Sequence, residues 1–225
     1  MKKTENMSKE MEQQLAKEWK RFINSVPAEV IEILKKGMDN TEMEAIVKRA
    51  ILLDDKAPNF TLSNHLGENV NLYKMLEEGP VVLTWYRGSW CPYCNMHLQY
   101  LQRNIPAFKE LGANLLALSP EKPDNSLSLK EKHELEFEVL TDIDNKVAKD
   151  YGIVFKLIDE VSDLYKNTFK LDLESFNDTD SDELPIPATY VIDQSGTVRY
   201  AYVNPDYTQR ANPDDIIKAL KHLNN

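Results

Sequence analysis

The sequence predicts an α/β fold, a mixed central sheet flanked by helices, with an N-terminal helical extension. Three observations predict it. Two apolar runs, Val81-Val-Leu-Thr-Trp-Tyr86 and Asn114-Leu-Leu-Ala-Leu118, have the composition of strands buried on both faces. Between them, residues 92–111 place Leu98, Leu101, Ile105 and Phe108 on one helical side. Near the C-terminus, residues 188–192 and 198–203 flank Asp193-Gln-Ser-Gly196, the pattern of an antiparallel hairpin.

The elements follow in order. Met11, Leu15, Trp19 and Phe22 recur at helical spacing. Pro27 can open a second helix carrying Val30, Ile33 and Leu34, with Gly37 as its stop. Thr41 and Glu44 have capping-box spacing for a third helix carrying Met43, Ile46 and Val47. No catalytic constellation lies in residues 1–54, so they are read as an arm that covers the main domain or a subunit partner; a homodimer is one expectation. Residues 55–225 form the main domain. It begins with a small hairpin, Phe60-Thr-Leu and Val70-Asn-Leu about Gly67. The first buried strand follows Pro80, and the helix after it should kink at Pro106 and end at Gly112. After the second strand come a helix at 126–134, a strand at 137–140, and helices at 145–150 and 158–169. An acidic loop at 177–183, the hairpin and a closing helix at 214–223 complete the chain. Strands alternating with helices and then an antiparallel hairpin make a mixed sheet.

Composition and charge narrow the function. With 225 residues and 42% hydrophobic side chains, the chain can bury a core without disulfides or metals and is not a disordered segment. Its 27 basic against 37 acidic residues give a net charge of -10, which repels phosphate backbones, and no basic stripe offsets it, so nucleic acid is not an expected partner. The apolar runs are far too short to span a bilayer. The opening Met1-Lys-Lys-Thr-Glu has no apolar segment behind it, so a secretory signal is not expected and a cytoplasmic location is. Asp178, Asp180 and Asp182 alternate as in a calcium loop, but Glu183 stands where that loop needs Gly, and a solvated acidic loop is the better account. Tyr165 and the Tyr202–Tyr207 stretch read either as sheet-edge packing or as the lining of a cleft.

Cys91 and Cys94 are the only cysteines. A bridge between residues this close closes almost no loop and would stabilise little, so in a reducing compartment the pair points to redox chemistry. Trp90-Cys91-Pro92-Tyr93-Cys94 falls between the first buried strand and its helix. That puts Cys91 at a helix N-terminus, where free amides and the macrodipole favour an anion, so a lowered pKa is expected for Cys91. Pro92 suits the first helical turn because its missing N–H would have had no partner there. Cys94, one turn deeper on the same side, should be less exposed and able to close onto Cys91. His97 continues the spacing, but structural zinc needs four ligands, so His97 is read as packing and no metal or cofactor is expected. Arg87 is either a stabiliser of the thiolate or a salt-bridged residue at the loop edge.

Several stretches carry a resemblance: Ala57-Pro-Asn-Phe-Thr-Leu62, Trp85-Tyr-Arg-Gly-Ser-Trp-Cys-Pro-Tyr-Cys-Asn95, Leu118-Ser-Pro-Glu-Lys-Pro-Asp-Asn-Ser126, Leu140-Thr-Asp142, Leu184-Pro-Ile-Pro-Ala-Thr-Tyr-Val-Ile-Asp193 and Tyr202-Val-Asn-Pro-Asp-Tyr207. Over about residues 55–223 the chain resembles the thioredoxin-fold superfamily, and within it the peroxiredoxin-like branch of the alkyl hydroperoxide reductase and thiol-specific antioxidant (AhpC/TSA) family. The resemblance implies a thioredoxin-like fold and thiol-dependent reduction of hydrogen peroxide or organic hydroperoxides. Cys91 would become a sulfenic acid, Cys94 would resolve it to a disulfide, and an external dithiol such as thioredoxin would reset the pair. It also implies a cis bond before Pro187, beside the active cysteine. The family's hydroxyl and proline positions are here Gly88 and Thr84, with Ser89 one place nearer the cysteine as a substitute donor. The family's Arg before the late strand is missing; Arg199 and Arg210 could replace it, and nothing in the sequence places them. Trp90 and the nearby second cysteine resemble thioredoxin instead, which implies a rival activity, disulfide exchange without peroxide; a redox-sensing module is the third reading.

Overall fold

In the computed structural model, which describes residues 2–39 and 41–223, three helices come first: α1 (Lys2–Ile23), α2 (Ala28–Met38) and α3 (Thr41–Arg49). Met11 and Leu15 of α1 are buried in one cluster with Leu98, Leu101, Ile105 and Leu220, and Trp19 packs on its edge. The apolar face that suggested a homodimer is thus covered by the chain's own later helices. Phe22 extends the contact, stacking on Trp19 at 5.8 Å and meeting Phe169 edge-on at 6.0 Å. Pro27 precedes α2 in an extended conformation, as expected. Gly37 does not stop α2, which runs on to Met38; instead a Cβ there would sit 2.9 Å from Val161 Cγ2, so the bare backbone admits a close neighbour. The Thr41 side chain, half of the expected capping box, lies outside the described residues.

The main body begins with the expected hairpin, β1 (Thr61–Asn64) and β2 (Asn69–Asn71), turning at Gly67. Helix α4 (Leu72–Glu78) follows at once, capped by Asn71 Oδ1, which accepts from the Lys74 amide at 3.0 Å. Seven residues are too few for a periodic signal, so the sequence did not announce it. Next come β3 (Val81–Trp85), α5 (Pro92–Glu110), β4 (Asn114–Ser119), α6 (Pro123–His133), β5 (Glu138–Thr141), α7 (Lys146–Asp150) and β6 (Val154–Lys156). Then α8 (Asp159–Asp163), a π turn (Leu164–Thr168), α9 (Leu173–Asn177), β7 (Glu183–Pro185), β8 (Ala188–Ile192), β9 (Val198–Val203) and α10 (Pro213–Leu223) complete the fold.

Seven strands form one sheet in the order β2-β1-β5-β4-β3-β8-β9, parallel between β3 and β4 and between β4 and β5, antiparallel elsewhere. Every residue of β3 is buried because helices cover both faces of the sheet centre. Alternate residues go to opposite faces: Val82, Ala117, Val139 and Val191 meet α1, α5 and α10, whereas Leu83, Trp85, Leu116 and Tyr190 meet α4 and α7. A third cluster joins α2 and α3 to α8 and the π turn through Leu34, Ile46, Val161 and Tyr165. No helix among the described residues is long and apolar enough to cross a membrane.

Three further expectations differ from what folds. Helix α5 passes Pro106 unbroken, since Leu101, Ile105 and Phe108 on either side of it are all anchored in the core. The helix expected at 158–169 is split, its second half widening into the π turn closed by Phe169 N–H to Leu164 O at 3.0 Å. The Ile186–Pro187 bond is trans, not cis. Here β7 pairs with β6 as a separate ribbon, Ile186 N–H bonds Ile153 O at 2.8 Å, and β8 follows directly, so an extended link satisfies both pairings. If the arm belongs to the core, Met11→Ala should cost about 2–5 kcal/mol. Urea unfolding should show this as a lower midpoint at unchanged slope; an unaltered midpoint would mean the arm's packing contributes nothing.

Candidate active site

Strand β3 ends at Trp85, and the next six residues lead into α5 across the ends of β3 and β4, tied there by Tyr86 N–H to Leu118 O at 3.0 Å. Cys91 caps α5 with extended dihedrals and accepts the Asn95 amide at 3.1 Å, so it sits at the helix N-terminus as expected, with Pro92 in the first turn. Both cysteines are free thiols, 1% and 0% exposed. Only Cys91 lines a cavity, of about 400 Å³, whose walls include Trp90, Pro92, Tyr93, Tyr165, Phe169 and Tyr207, with Phe22 from the arm. Cys94 lies behind it.

The charge of the pair is not where the sequence placed it. Arg210 Nη2 lies 3.1 Å from Cys94 Sγ and 4.0 Å from Cys91 Sγ, and the Arg87 amide points at Cys94 Sγ from 3.4 Å. Burial opposes ionisation of Cys94, but the proton donated by Cys91, the Arg210 guanidinium and the Arg87 amide together hold its pKa well below the ordinary thiol value. Burial raises Cys91, as do its hydrogen bond to Cys94 and the charge there. Arg210 and the Arg87 amide, both nearest the inner sulfur, thus favour the anion at Cys94 rather than at Cys91: the helix-terminus argument treated one thiol alone, whereas two buried sulfurs share one proton.

Arg210 is the arginine that the sequence could not place. It precedes α10, is buried, and donates Nη1 to the carbonyls of Tyr207 and Gln209, which fix its plane. His97 supports it: the ring bonds the Ala211 backbone, and burial together with the Arg210 charge pushes its pKa down to about 3, so it stays neutral. Arg199 is elsewhere, paired with Asp54 and Asp193 at the surface.

Arg87 is buried in a box of aromatic rings, 4.3 Å from the Tyr207 centroid, 5.0 Å from Trp90 and 5.8 Å from Tyr165, and donates to the Tyr165 hydroxyl. Burial works against its charge, but Tyr165, Cys91, Tyr207 and Cys94 more than offset that and raise its pKa. No carboxylate pairs with Arg87 or Arg210 among the described residues, so the salt-bridged reading of Arg87 falls away. Tyr165 and Tyr207 are cleft lining, the sharper of their two readings. Trp90 folds back over Gly88, where a Cβ would sit 2.2 Å from Trp90 Nε1. Pro187 lines a small recess with Arg87, Tyr165 and Tyr207. Ser89 donates its hydroxyl to Glu121 Oε1 at 2.7 Å. Thr84 bonds Thr189 and the Ala188 carbonyl inside the sheet. Among the described residues, no group of His, Cys, Asp and Glu side chains could hold a metal ion.

A thioredoxin-like fold with a buried dithiol at a helix N-terminus defines the class. The AhpC/TSA family profile matches residues 53–201, and the chain belongs to that family. Peroxiredoxin Q, chloroplastic, of Suaeda salsa is 30% identical over 166 residues, 74% of this chain and 66% of that protein, so the match spans just under two thirds of the relative's length. Thiol-disulfide oxidoreductase ResA of Bacillus thuringiensis subsp. konkukian is 27% identical over 100 residues, 44% of this chain and 57% of that one. Among solved structures, peroxidoxin BcpB from Mycobacterium tuberculosis superposes with a TM-score of 0.63 at 20% identity, covering 77% of this chain and 98% of that one, which establishes the fold.

Removing the Arg210 charge tests the electrostatics. In Arg210→Met, the pH at which thiolate absorbance appears should rise by about 1–3 units. An unchanged titration would mean that the guanidinium does not hold the anion.

Proposed function

We propose that this protein is a thiol-dependent peroxidase reducing hydrogen peroxide or organic hydroperoxides. The observation that carries the reading is Cys91 at the wall of a largely apolar cavity, with Cys94 behind it in contact with the Arg210 guanidinium that favours its thiolate. Family membership supports it. When a hydroperoxide enters, the Cys91 proton passes to Cys94. The Cys91 thiolate attacks the distal oxygen, the O–O bond breaks, and water or alcohol leaves with a proton, giving the sulfenic acid. Arg87, at the cavity wall, polarises the peroxide and steadies the developing negative charge. Cys94, ionised again beside Arg210 once its proton has gone to the departing oxygen, displaces hydroxide from the sulfenic acid; the hydroxide takes a proton from solvent and leaves as water, and the two sulfurs join. An external dithiol such as thioredoxin then reduces the disulfide by exchange. Trp90 and Pro92 shape the cavity walls, Pro187 lines a recess that shares Arg87, Tyr165 and Tyr207 with it, and Ser89 stands in the loop that leads to Cys91. The cytoplasm remains our reading, although the plant relatives are named chloroplastic. With the α1 face covered, the reading needs no second copy of the chain.

Disulfide exchange without peroxide is the second reading, favoured by the Trp-Cys-Pro-Tyr-Cys string and the similarity to a thiol-disulfide oxidoreductase. Stopped-flow oxidation of the reduced protein separates the two. A second-order rate with peroxide no greater than that of a free thiol at the same pH would leave only the second. Under the first, Cys91→Ser is inactive, whereas Cys94→Ser forms a sulfenic acid, trapped by a dimedone-type reagent, but does not turn over with a dithiol.

The cavity is more than ten times the roughly 30 Å³ that one water occupies in the liquid, so hydrogen peroxide leaves most of it unfilled. An apolar substituent gains about 25 cal/mol for each Å² it buries against these walls. Phe22→Ala should therefore raise the KM for cumene hydroperoxide several-fold and leave that for hydrogen peroxide nearly unchanged. Equal effects on both would mean the arm does not touch the substrate.

A further inference from the structure

Glu121 has no part in the steps above, yet its position is unusual. It lies in the turn between β4 and α6, is 0% exposed, and forms no ion pair with any Lys or Arg among the described residues. Its Oε1 accepts the Ser89 hydroxyl from the loop that carries the cysteines. Its Oε2 is buried with no hydrogen-bond partner. A buried carboxylate with one oxygen bare and no cation nearby is costly, and such groups keep a proton instead. The titratable groups that interact with its charge are Cys94 on α5 and Tyr86 just after β3.

We propose that Glu121 is the proton-holding partner of the cysteine pair: its carboxyl takes up a proton when the disulfide is reduced and gives it up when the disulfide forms. The inference rests on the pair cycling between dithiol and disulfide, whichever substrate drives the cycle. In the reduced state Cys94 carries the negative charge, and a second charge on Glu121 would face it across dry protein. Burial first, and the Cys94 charge in addition, push the Glu121 carboxyl up to about 7, partly offset by the Ser89 hydroxyl and amide. In the oxidised state burial and the Ser89 donors remain as they were, but the sulfur charge that opposed ionisation is gone, so the carboxyl gives up its proton more readily than in the reduced state. Reduction by a dithiol balances: it supplies two electrons and two protons and becomes a disulfide, while the pair becomes a Cys91 thiol and a Cys94 thiolate and Glu121 becomes protonated. One proton ends on Cys91, the other on Glu121, and the buried site holds one negative charge before and after. Glu121 is thus a positioning residue for charge, acting on Cys94 rather than on substrate.

The test is a redox titration of the full-length protein against dithiothreitol buffers over a range of pH, with the reduced fraction read by thiol trapping. On the acid side of neutrality, reduction of the wild type should take up about two protons per pair and that of Glu121→Gln about one, read from the pH dependence of the midpoint. Ser89→Ala, which removes the hydroxyl donor to the carboxylate, should shift the two-proton window to higher pH. Equal proton uptake in wild type and Glu121→Gln would overturn the inference, since a carboxyl that only packs would leave the pH dependence unmoved. Reduced-minus-oxidised infrared difference spectra of the wild type need no variant: a protonated-carboxyl band should appear on reduction, and its absence would equally overturn the inference. Neither measurement involves peroxide, so a failure of the peroxidase reading would leave both intact.

Discussion

One negative charge, shared by two buried sulfurs, is the constraint around which this molecule is arranged. A bare thiolate in a protein interior is unstable, and it persists only where donors and cations replace the lost hydration. Arg210 and the Arg87 amide supply that replacement at Cys94, and the Cys91 proton completes it. The rest of the architecture keeps those groups fixed. The loop carbonyls of Tyr207 and Gln209 hold the Arg210 plane, and His97 fastens the next residue to α5.

The cations at the site are held in an uncommon way. The chain as a whole carries a charge of -10, but among the described residues neither buried arginine pairs with a carboxylate. Arg87 is surrounded by ring faces, which attract a cation without quenching it as a carboxylate would. Its field therefore stays available to a sulfur or an oxygen entering the cavity. A carboxylate partner in place of Tyr165 or Tyr207 would neutralise it. The acidic residue that does approach the pair, Glu121, is consistent with the same requirement, since its pKa near 7 lets it stay protonated while the sulfur is charged.

Much of this was legible in the sequence, for physical reasons that differ by element. β3, β4 and α5 carry continuous or periodic apolar patterns that allow only one assignment, and the cysteines fall between them by chain order alone. What could not be read depends on contacts between distant segments. Arg210 is more than a hundred residues from Cys94, and no local pattern marks a loop arginine as inward-facing. Tyr165 and Tyr207 looked like sheet-edge aromatics because the box that joins them to Arg87 exists only once the π turn and the loop after β9 converge. The location of the charge was misjudged for a related reason: a helix N-terminus favours an anion at Cys91, but the nearest guanidinium, supplied from another part of the chain, favours it at Cys94. The one available sequence signal for Glu121 was its place in the resemblance after β4, and that did not tell its burial.

The departures from the family pattern acquire a common explanation from this geometry. The usual hydroxyl donor position is Gly88, and it must be bare because the Trp90 indole lies against it. The usual proline position is Thr84, whose hydroxyl is absorbed into the sheet by Thr189. The usual arginine before β8 is replaced by one that arrives after β9 and meets the deeper sulfur first. With a second thiol one helical turn away, Cys91 donates its proton to Cys94 where the family pattern would offer it a hydroxyl donor, and the cation lies nearest the charge, at Cys94. The Cys91–Cys94 hydrogen bond, Arg210 beside the inner sulfur and Ser89 turned away to Glu121 are thus parts of one connected arrangement around the pair.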